Sequence, residues 1–320
     1  MEDIQSRPAG VREPSLAVTV AGVTFKNPVI AASGTFGYGR EYAKVFPLSE
    51  LGGISLKGMT LEPRQGNPSP RVAETPSGML NCIGLQNPGV EYFIRYELPF
   101  LKKQGTRLIC NIAGSTPADY CALAERLSET DVDMLELNIS CPNVKEGGLQ
   151  FGASCRSVED ITAQVRRHCR KPLMVKLSPN VTDIGEIAAA AEAAGADALS
   201  LINTLLGMRI DIRTRRPMLS NSVGGLSGPA VFPVALRCVW QAAQRVKIPV
   251  MGLGGVATWQ DAVEMLLAGA RAVQVGTATF RDPYAMRKIR DGLRDYLTEQ
   301  KISDISGLCG GVRPFGEGRR

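Results

Sequence analysis

Two lysines in the 320-residue chain stand at the ends of short apolar runs: Lys57 after Gly53-Ile54-Ser55-Leu56, and Lys176 after Leu173-Met174-Val175. Taken singly, each reads as a lysine whose stem lies along the protein while its ammonium reaches water. Taken together, facing one mouth, they would stabilise an anionic ring or a carboxylate; a Schiff base on a lysine is the competing chemistry. Asparagines gather at equivalent places, Asn81, Asn111, Asn138 and Asn203, with Asn87 and Asn143 in adjacent segments. One asparagine after a strand is ordinarily a turn or cap residue. A row of them matches the alternating donors and acceptors of a pyrimidine or flavin edge. Such a site rejects analogues that leave its buried polar groups unpaired.

Two glycine-containing turns complete the set. Gly252-Leu253-Gly254-Gly255 and Gly276-Thr277 end the last two apolar runs. Glycine lets backbone N–H groups approach a phosphate, and a following helix would add its positive N-terminus. Gly224-Gly225-Leu226-Ser227-Gly228-Pro229 is a candidate third wall. Ile139-Ser140-Cys141-Pro142-Asn143 follows the fourth run, where a proline fixes the turn beside a cysteine. A thiol with a reference pKa near ~8.5 serves as a general base once deprotonated. His168 is the only histidine and lies in a basic helical stretch, so histidine-based hydrolase mechanisms are excluded.

The elements that must position these groups follow from the apolar pattern. Eight nearly continuous runs cover residues 29–33, 53–57, 108–112, 134–139, 173–177, 198–203, 248–253 and 272–276. They predict parallel strands buried on both faces. Segments of helical period intervene, clearest at 117–129, 157–169, 183–194 and 258–268, several opening on a Ser, Thr or Asp cap and two stopping at Gly195 and Gly269. Eight strands alternating with helices predict an α/β fold, a single-domain (β/α)8 TIM barrel over residues 15–309. A doubly wound sheet is the rival, but no G-x-G-x-x-G turn follows the first strand. Three connections, 58–90, 142–156 and 205–229, are long enough to be functional loops at the C-terminal face. Residues 16–26 alternate and predict a hairpin closing the barrel bottom. Residues 1–14 and 310–320 are expected to be mobile.

Composition narrows the function. Hydrophobic residues make up 44% and charged residues 21%, which excludes a disordered or fibrous chain. No apolar stretch approaches the roughly 18 residues of a membrane span, and no export signal is visible. The net charge of +6 is not gathered into a basic stripe; the densest cluster, Arg209, Arg213, Arg215 and Arg216, reads as a solvated loop with anion steering as the lesser alternative. Nucleic acid and membrane are therefore not expected partners. The eight cysteines include no C-x-x-C pair, so no metal or iron–sulfur site is expected and the thiols read as reduced, in a cytoplasmic protein.

Four segments together resemble the dihydroorotate dehydrogenases of pyrimidine biosynthesis. They are Ala32-Ser33-Gly34-Thr35-Phe36-Gly37; Leu56-Lys57-Gly58 with Glu62-Pro63-Arg64-Gln65-Gly66-Asn67-Pro68; Asn138-Ile139-Ser140-Cys141-Pro142-Asn143; and Asn81-Cys82-Ile83-Gly84-Leu85-Gln86-Asn87-Pro88-Gly89. The resemblance runs from about Leu16 to about Leu297. The last segment is more similar to the NAD-linked class 1B catalytic subunit than to the fumarate-linked class 1A enzymes. The membrane-bound class has serine where Cys141 stands. One departure is Cys82, where the family commonly has alanine.

The resemblance implies a bound FMN and oxidation of (S)-dihydroorotate to orotate. FMN would be held by Ser33, Lys57, Gly58, Asn111, Asn138 and Lys176, together with Ile202, Gly228, Gly254, Gly255, Gly276 and Thr277. Substrate would meet Lys57, Asn81, Cys82, Ile83, Gly84 and Leu85, then Asn138, Asn203 and Thr204. Cys141 would remove the C5 proton while hydride leaves C6 for the flavin, with Lys176 stabilising the reduced ring, and the loop after Cys141 would close as a lid. The chain has no dinucleotide fingerprint, so the resemblance implies a partner subunit carrying FAD and a 2Fe-2S cluster that relays electrons to NAD, in a heterotetramer around a catalytic homodimer. A dihydropyrimidine dehydrogenase-type domain is the nearest rival, a Schiff-base aldolase or lyase barrel a more distant one.

Overall fold

Each apolar run forms a strand because it is short, β-branched or leucine-rich, and bounded by turn residues. The computed structural model describes residues 13–139, 151–313 and 315. The described chain opens with the expected hairpin, β1 (Val18–Val20) and β2 (Val23–Phe25), paired so that Val18 faces Phe25. Phe25 is fully buried beside Gly53, the first residue of β4, which places the hairpin at the N-terminal end of the barrel strands. The barrel starts with β3 (Val29–Ala31) and β4 (Gly53–Ser55). An excursion supplies β5 (Val72–Thr75) and β6 (Gly78–Asn81) before the barrel resumes with β7 (Arg107–Ile112), β8 (Met134–Asn138), β9 (Leu173–Lys176) and β10 (Ala198–Leu201). A second excursion gives β11 (Leu205–Met208), β12 (Ile210–Asp211), β13 (Arg216–Pro217) and β14 (Val223–Ser227), and β15 (Val250–Leu253) and β16 (Ala270–Val275) finish the cylinder. Eight of these strands close in the order β3-β4-β7-β8-β9-β10-β15-β16, every neighbour parallel. The fold is a (β/α)8 barrel, as the alternation predicted.

Four of the described helices begin where a side chain satisfies their first amides. Thr116 and Asp119 form a capping box for Pro117–Ser128, Thr258 and Asp261 one for Trp259–Leu267, and Asp183 caps Ile184–Ala193. The helix expected from residue 157 starts earlier, spanning Cys155–His168. Its N-cap is Ser154, and Ser157 is the reciprocal partner three residues on. The cap is thus a Ser-x-x-Ser box.

Two of the long connections are not loops. β11, β14, β6 and β5 form a four-stranded antiparallel sheet over the C-terminal mouth of the barrel, with its own small core of Ala73, Leu80, Cys82 and Leu219. Of the third connection, residues 142–150 lie outside the described residues, as does Cys141. Of the terminal segments, residues 1–12 lie outside them too, while the Gly310 and Val312 amides donate to the carbonyls of Leu266 and Leu267.

Candidate active site

A single cavity gathers the ends of the barrel strands beneath the four-stranded sheet. β3 leads into Ser33, β4 into Lys57 and Gly58, β7 carries Asn111, β8 Asn138, and β9 Lys176. β10 leads into Ile202, Asn203 and Thr204; Gly254, Gly255, Gly276 and Thr277 follow β15 and β16. The covering sheet contributes Asn81, Ile83, Gly84 and Leu85 from one excursion and Leu226, Ser227 and Gly228 from the other. Thr277 donates to Ser227 Oγ at 2.8 Å and so ties barrel to sheet at the rim, while within the sheet Asn81 Nδ2 donates to the Gly225 carbonyl at 3.4 Å. Segments far apart in sequence thus converge because the parallel strands all present their C-terminal ends to one face.

The asparagines form a directed row. Asn203 Nδ2 donates to Asn138 Oδ1 at 3.2 Å, Asn138 Nδ2 to Asn111 Oδ1 at 3.3 Å, and Asn111 Nδ2 to Glu136 Oε2 at 2.6 Å. Asn87 is not part of it; its side chain holds the Thr60–Gly89 turn through Thr60, Leu85 and Gly89. Glu136, Ser55, Ser200 and Gln274 were missed by sequence reasoning, which read them as members of apolar runs. Beneath the cavity, Glu136 is fully buried and accepts from Ser55 and Ser200 at 2.8 Å each and from Gln274 Nε2 at 2.9 Å. Lys176 Nζ stands 3.9 Å from its Oε2. Burial pushes the Glu136 carboxyl up, but the Lys176 charge and the bonds from Gln274, Asn111 and Ser55 outweigh it and hold it below the usual carboxylate range. The signal was present: polar residues at the middle of otherwise apolar strands, on different strands of one cylinder.

Gly254 and Gly255 have φ of +118° and +80°, and a Cβ on Gly255 would lie 2.7 Å from Phe232 N and 2.9 Å from Gly228 O. No other residue fits there without strain, and the backbone is left bare toward the cavity. Ahead of the helix that follows β15, Ala257 N and Thr258 N both donate to Asp261 Oδ2, at 2.9 and 2.8 Å, so these two amides are already engaged. A phosphate at this end would rest on the glycine backbone and on Thr277.

Cys82 is placed otherwise than expected. Its side chain is fully buried in the core of the covering sheet, with Sγ 3.8 Å from the Pro70 carbonyl and 3.7 Å from Ser220 Oγ, and it does not line the cavity. The residues around it, Asn81 and Ile83, alternate toward the cavity, and the pleat turns Cys82 away. Cys82→Ala is therefore expected to cost roughly 1 kcal/mol of stability, read from a urea midpoint, and to leave ligand affinity within twofold. A tenfold loss of ligand affinity would contradict this placement.

Among the described lining residues there is no carboxylate, imidazole, thiol or phenol; Lys57 and Lys176 are the titratable groups present. No group of three or more His, Cys, Asp or Glu side chains among the described residues is placed to hold a metal ion. No helix of the described residues is long and apolar enough to cross a membrane. The four basic residues from Arg209 to Arg216 lie on and around the β12–β13 hairpin, where Arg209 Nη1 bonds to the Glu74 carbonyl at 2.6 Å.

Residues 15–297 match the family described as dihydroorotate dehydrogenase. The chain belongs to the dihydroorotate dehydrogenase family. It is 55% identical over 296 residues to the "Dihydroorotate dehydrogenase B (NAD(+)), catalytic subunit" of Alkaliphilus oremlandii, covering 92% of this chain and 98% of that protein. The protein of the same name from Desulforamulus reducens is 56% identical over 297 residues, with 92% and 98% covered. A solved dihydroorotate dehydrogenase from Eimeria tenella, in complex with ferulenol, superposes with a TM-score of 0.76 at 23% identity, covering 92% of this chain and 88% of that one, and shares the fold. Every described residue that the resemblance assigned to flavin or substrate lines the cavity except Cys82. Cys141 lies outside the described residues.

Proposed function

We propose that this chain oxidises (S)-dihydroorotate to orotate on a bound FMN, as the catalytic subunit of an NAD-linked enzyme of pyrimidine synthesis in the cytoplasm. The observation that carries the reading is the cavity itself, which joins a buried lysine, a directed asparagine row and a bare glycine backbone under one cover. The residues fit FMN. Gln274 lines the cavity, and its Oε1 is buried with no partner among the described residues, an acceptor suited to a ring N–H. Lys176, 5% exposed, suits a ring that gains negative charge, and the Gly254-Gly255 and Gly276-Thr277 backbone suits a phosphate. When bound, FMN supplies the hydride acceptor.

The chain's own residues supply the rest. Lys57 and the amides of Asn81, Asn138 and Asn203 bind the carboxylate and ring of the substrate and hold it in one orientation. Cys141 takes the C5 proton. Lys176 offers a fixed positive charge that needs no rearrangement during the reaction. The covering sheet keeps water from the reacting atoms. Electrons leave through a separate subunit carrying FAD and a 2Fe-2S cluster, and a homodimer of this chain forms the core of the assembly.

The relatives are named as NAD+ catalytic subunits, which favours this reading over fumarate-linked, dihydropyrimidine-oxidising and aldolase alternatives. The purified chain is expected to release one FMN per polypeptide on denaturation. With dihydroorotate as donor, it is expected to reduce NAD+ only after an FAD- and 2Fe-2S-carrying subunit is added. Rapid fumarate reduction by the chain alone, or a colourless preparation that takes up no FMN, would overturn the proposal.

A further inference from the structure

One carboxylate controls the orientation of several cavity amides. Glu136, on β8, receives side chains from β4, β7, β10 and β16 as hydrogen bonds and from β9 as an ion pair, so it links six strands of the eight-stranded barrel. An ionised carboxylate only accepts, so each amide reaching it must present its NH2 end. Asn111 therefore turns Oδ1 outward, to Asn138 Nδ2, and Asn138 in turn offers Oδ1 to Asn203 Nδ2. The row ends where Asn203 Oδ1 accepts from the Thr204 amide at 2.8 Å. On the other side, Gln274 gives Nε2 to Glu136 and keeps its unpartnered Oε1 as an acceptor.

We propose that Glu136 is the positioning residue of this cavity: it dictates which ends of Asn111, Asn138, Asn203 and Gln274 face bound ligands, and it balances the Lys176 charge. The inference rests on the FMN and dihydroorotate reading above and extends it to a group that touches neither ligand. Glutamine at position 136 is the sharp test, since it keeps the shape and changes one acceptor into a donor. The Ser55 and Ser200 hydroxyls can turn to suit it, but Asn111 and Gln274 bond to different oxygens of Glu136, and one of them would then meet an NH2 group. If Gln274 turns over, it presents a donor to the cavity in place of an acceptor. If Asn111 turns over, the reversal runs along the row to Asn203, where the Thr204 amide opposes it.

The test compares holoenzyme with Glu136→Gln, reading the FMN dissociation constant, the orotate dissociation constant from the flavin spectrum, and the flavin midpoint potential. The affinity for FMN or for orotate is expected to fall at least tenfold. The potential is expected to rise, because a negative charge has been removed from beneath a group that becomes negative on reduction; a tenfold shift between the two redox forms is about 30 mV. General loosening of the core does not predict that sign. Both affinities within twofold of wild type, with an unmoved potential, would overturn the proposal. Should the single variant not fold, Lys176→Met with Glu136→Gln removes both charges together, which buried pairs tolerate far better. Against Lys176→Met alone, the double variant is expected to lose a further tenfold in FMN or orotate affinity, and no further loss would overturn the assignment. A wild-type chain that binds neither ligand would remove the functional reading as well, and so separates the two failures.

Discussion

Cys141→Ala is expected to leave FMN and orotate affinity within a few-fold and to slow flavin reduction by dihydroorotate about 10² to 10⁴-fold, the usual contribution of a positioned general base. Among the described residues, the titratable groups that line the cavity are two lysines. Lys176 stands against the Glu136 carboxylate as a fixed charge, and Lys57 is assigned to ligand binding. Cys141, the base that the family resemblance implies, comes three residues after Asn138, which lines the cavity, a span of about 11 Å at most in extended chain. Single-turnover stopped-flow under anaerobic conditions reads the effect directly. Reduction within threefold of wild type would remove Cys141 from the mechanism.

Lys176→Met is expected to act on both chemistry and stability. Loss of a preorganised charge facing the reacting ring should slow flavin reduction by about 10² to 10³-fold. It also strands the buried carboxylate of Glu136. Removing one member of a buried pair costs roughly 3–5 kcal/mol, and the four remaining hydrogen bonds to Glu136 should keep the loss near the lower end of that range. Weaker FMN retention should accompany both effects. Flavin reduction rate, FMN affinity and the denaturant midpoint together check the prediction; a variant with wild-type values for all three would show that the lysine serves neither the ring nor the core.

The barrel was legible because its strands are buried on both faces and so read as continuous apolar runs, with helix caps such as Thr116 and Thr258 marking the intervals. The site was legible where a residue's type is costly at a strand end, as for Lys57, Lys176 and the asparagines. The covering sheet was not. Its strands are short and rich in glycine, with Gly207, Gly224 and Gly225 sitting where neighbouring side chains and backbone come close, and glycine is the residue that weakens a strand signal most. Cys82 was placed from family position alone; its direction depends on the pleat of a strand pair the sequence did not reveal. Glu136 escaped for the opposite reason. One charge inside Met134-Leu135-Glu136-Leu137 does not break an apolar run, and its partners lie 25 to 138 residues away along the chain.

The most direct measurement is the absorption spectrum of the oxidised, FMN-loaded protein titrated with (S)-dihydroorotate in the absence of oxygen, with dihydrouracil as the comparison. The cavity described above requires that dihydroorotate bleach the flavin within a catalytic turnover and that dihydrouracil leave it yellow, since only the former offers a carboxylate to Lys57 and the asparagine row. A flavin that stays oxidised with dihydroorotate, or that is bleached equally by dihydrouracil, would contradict the account.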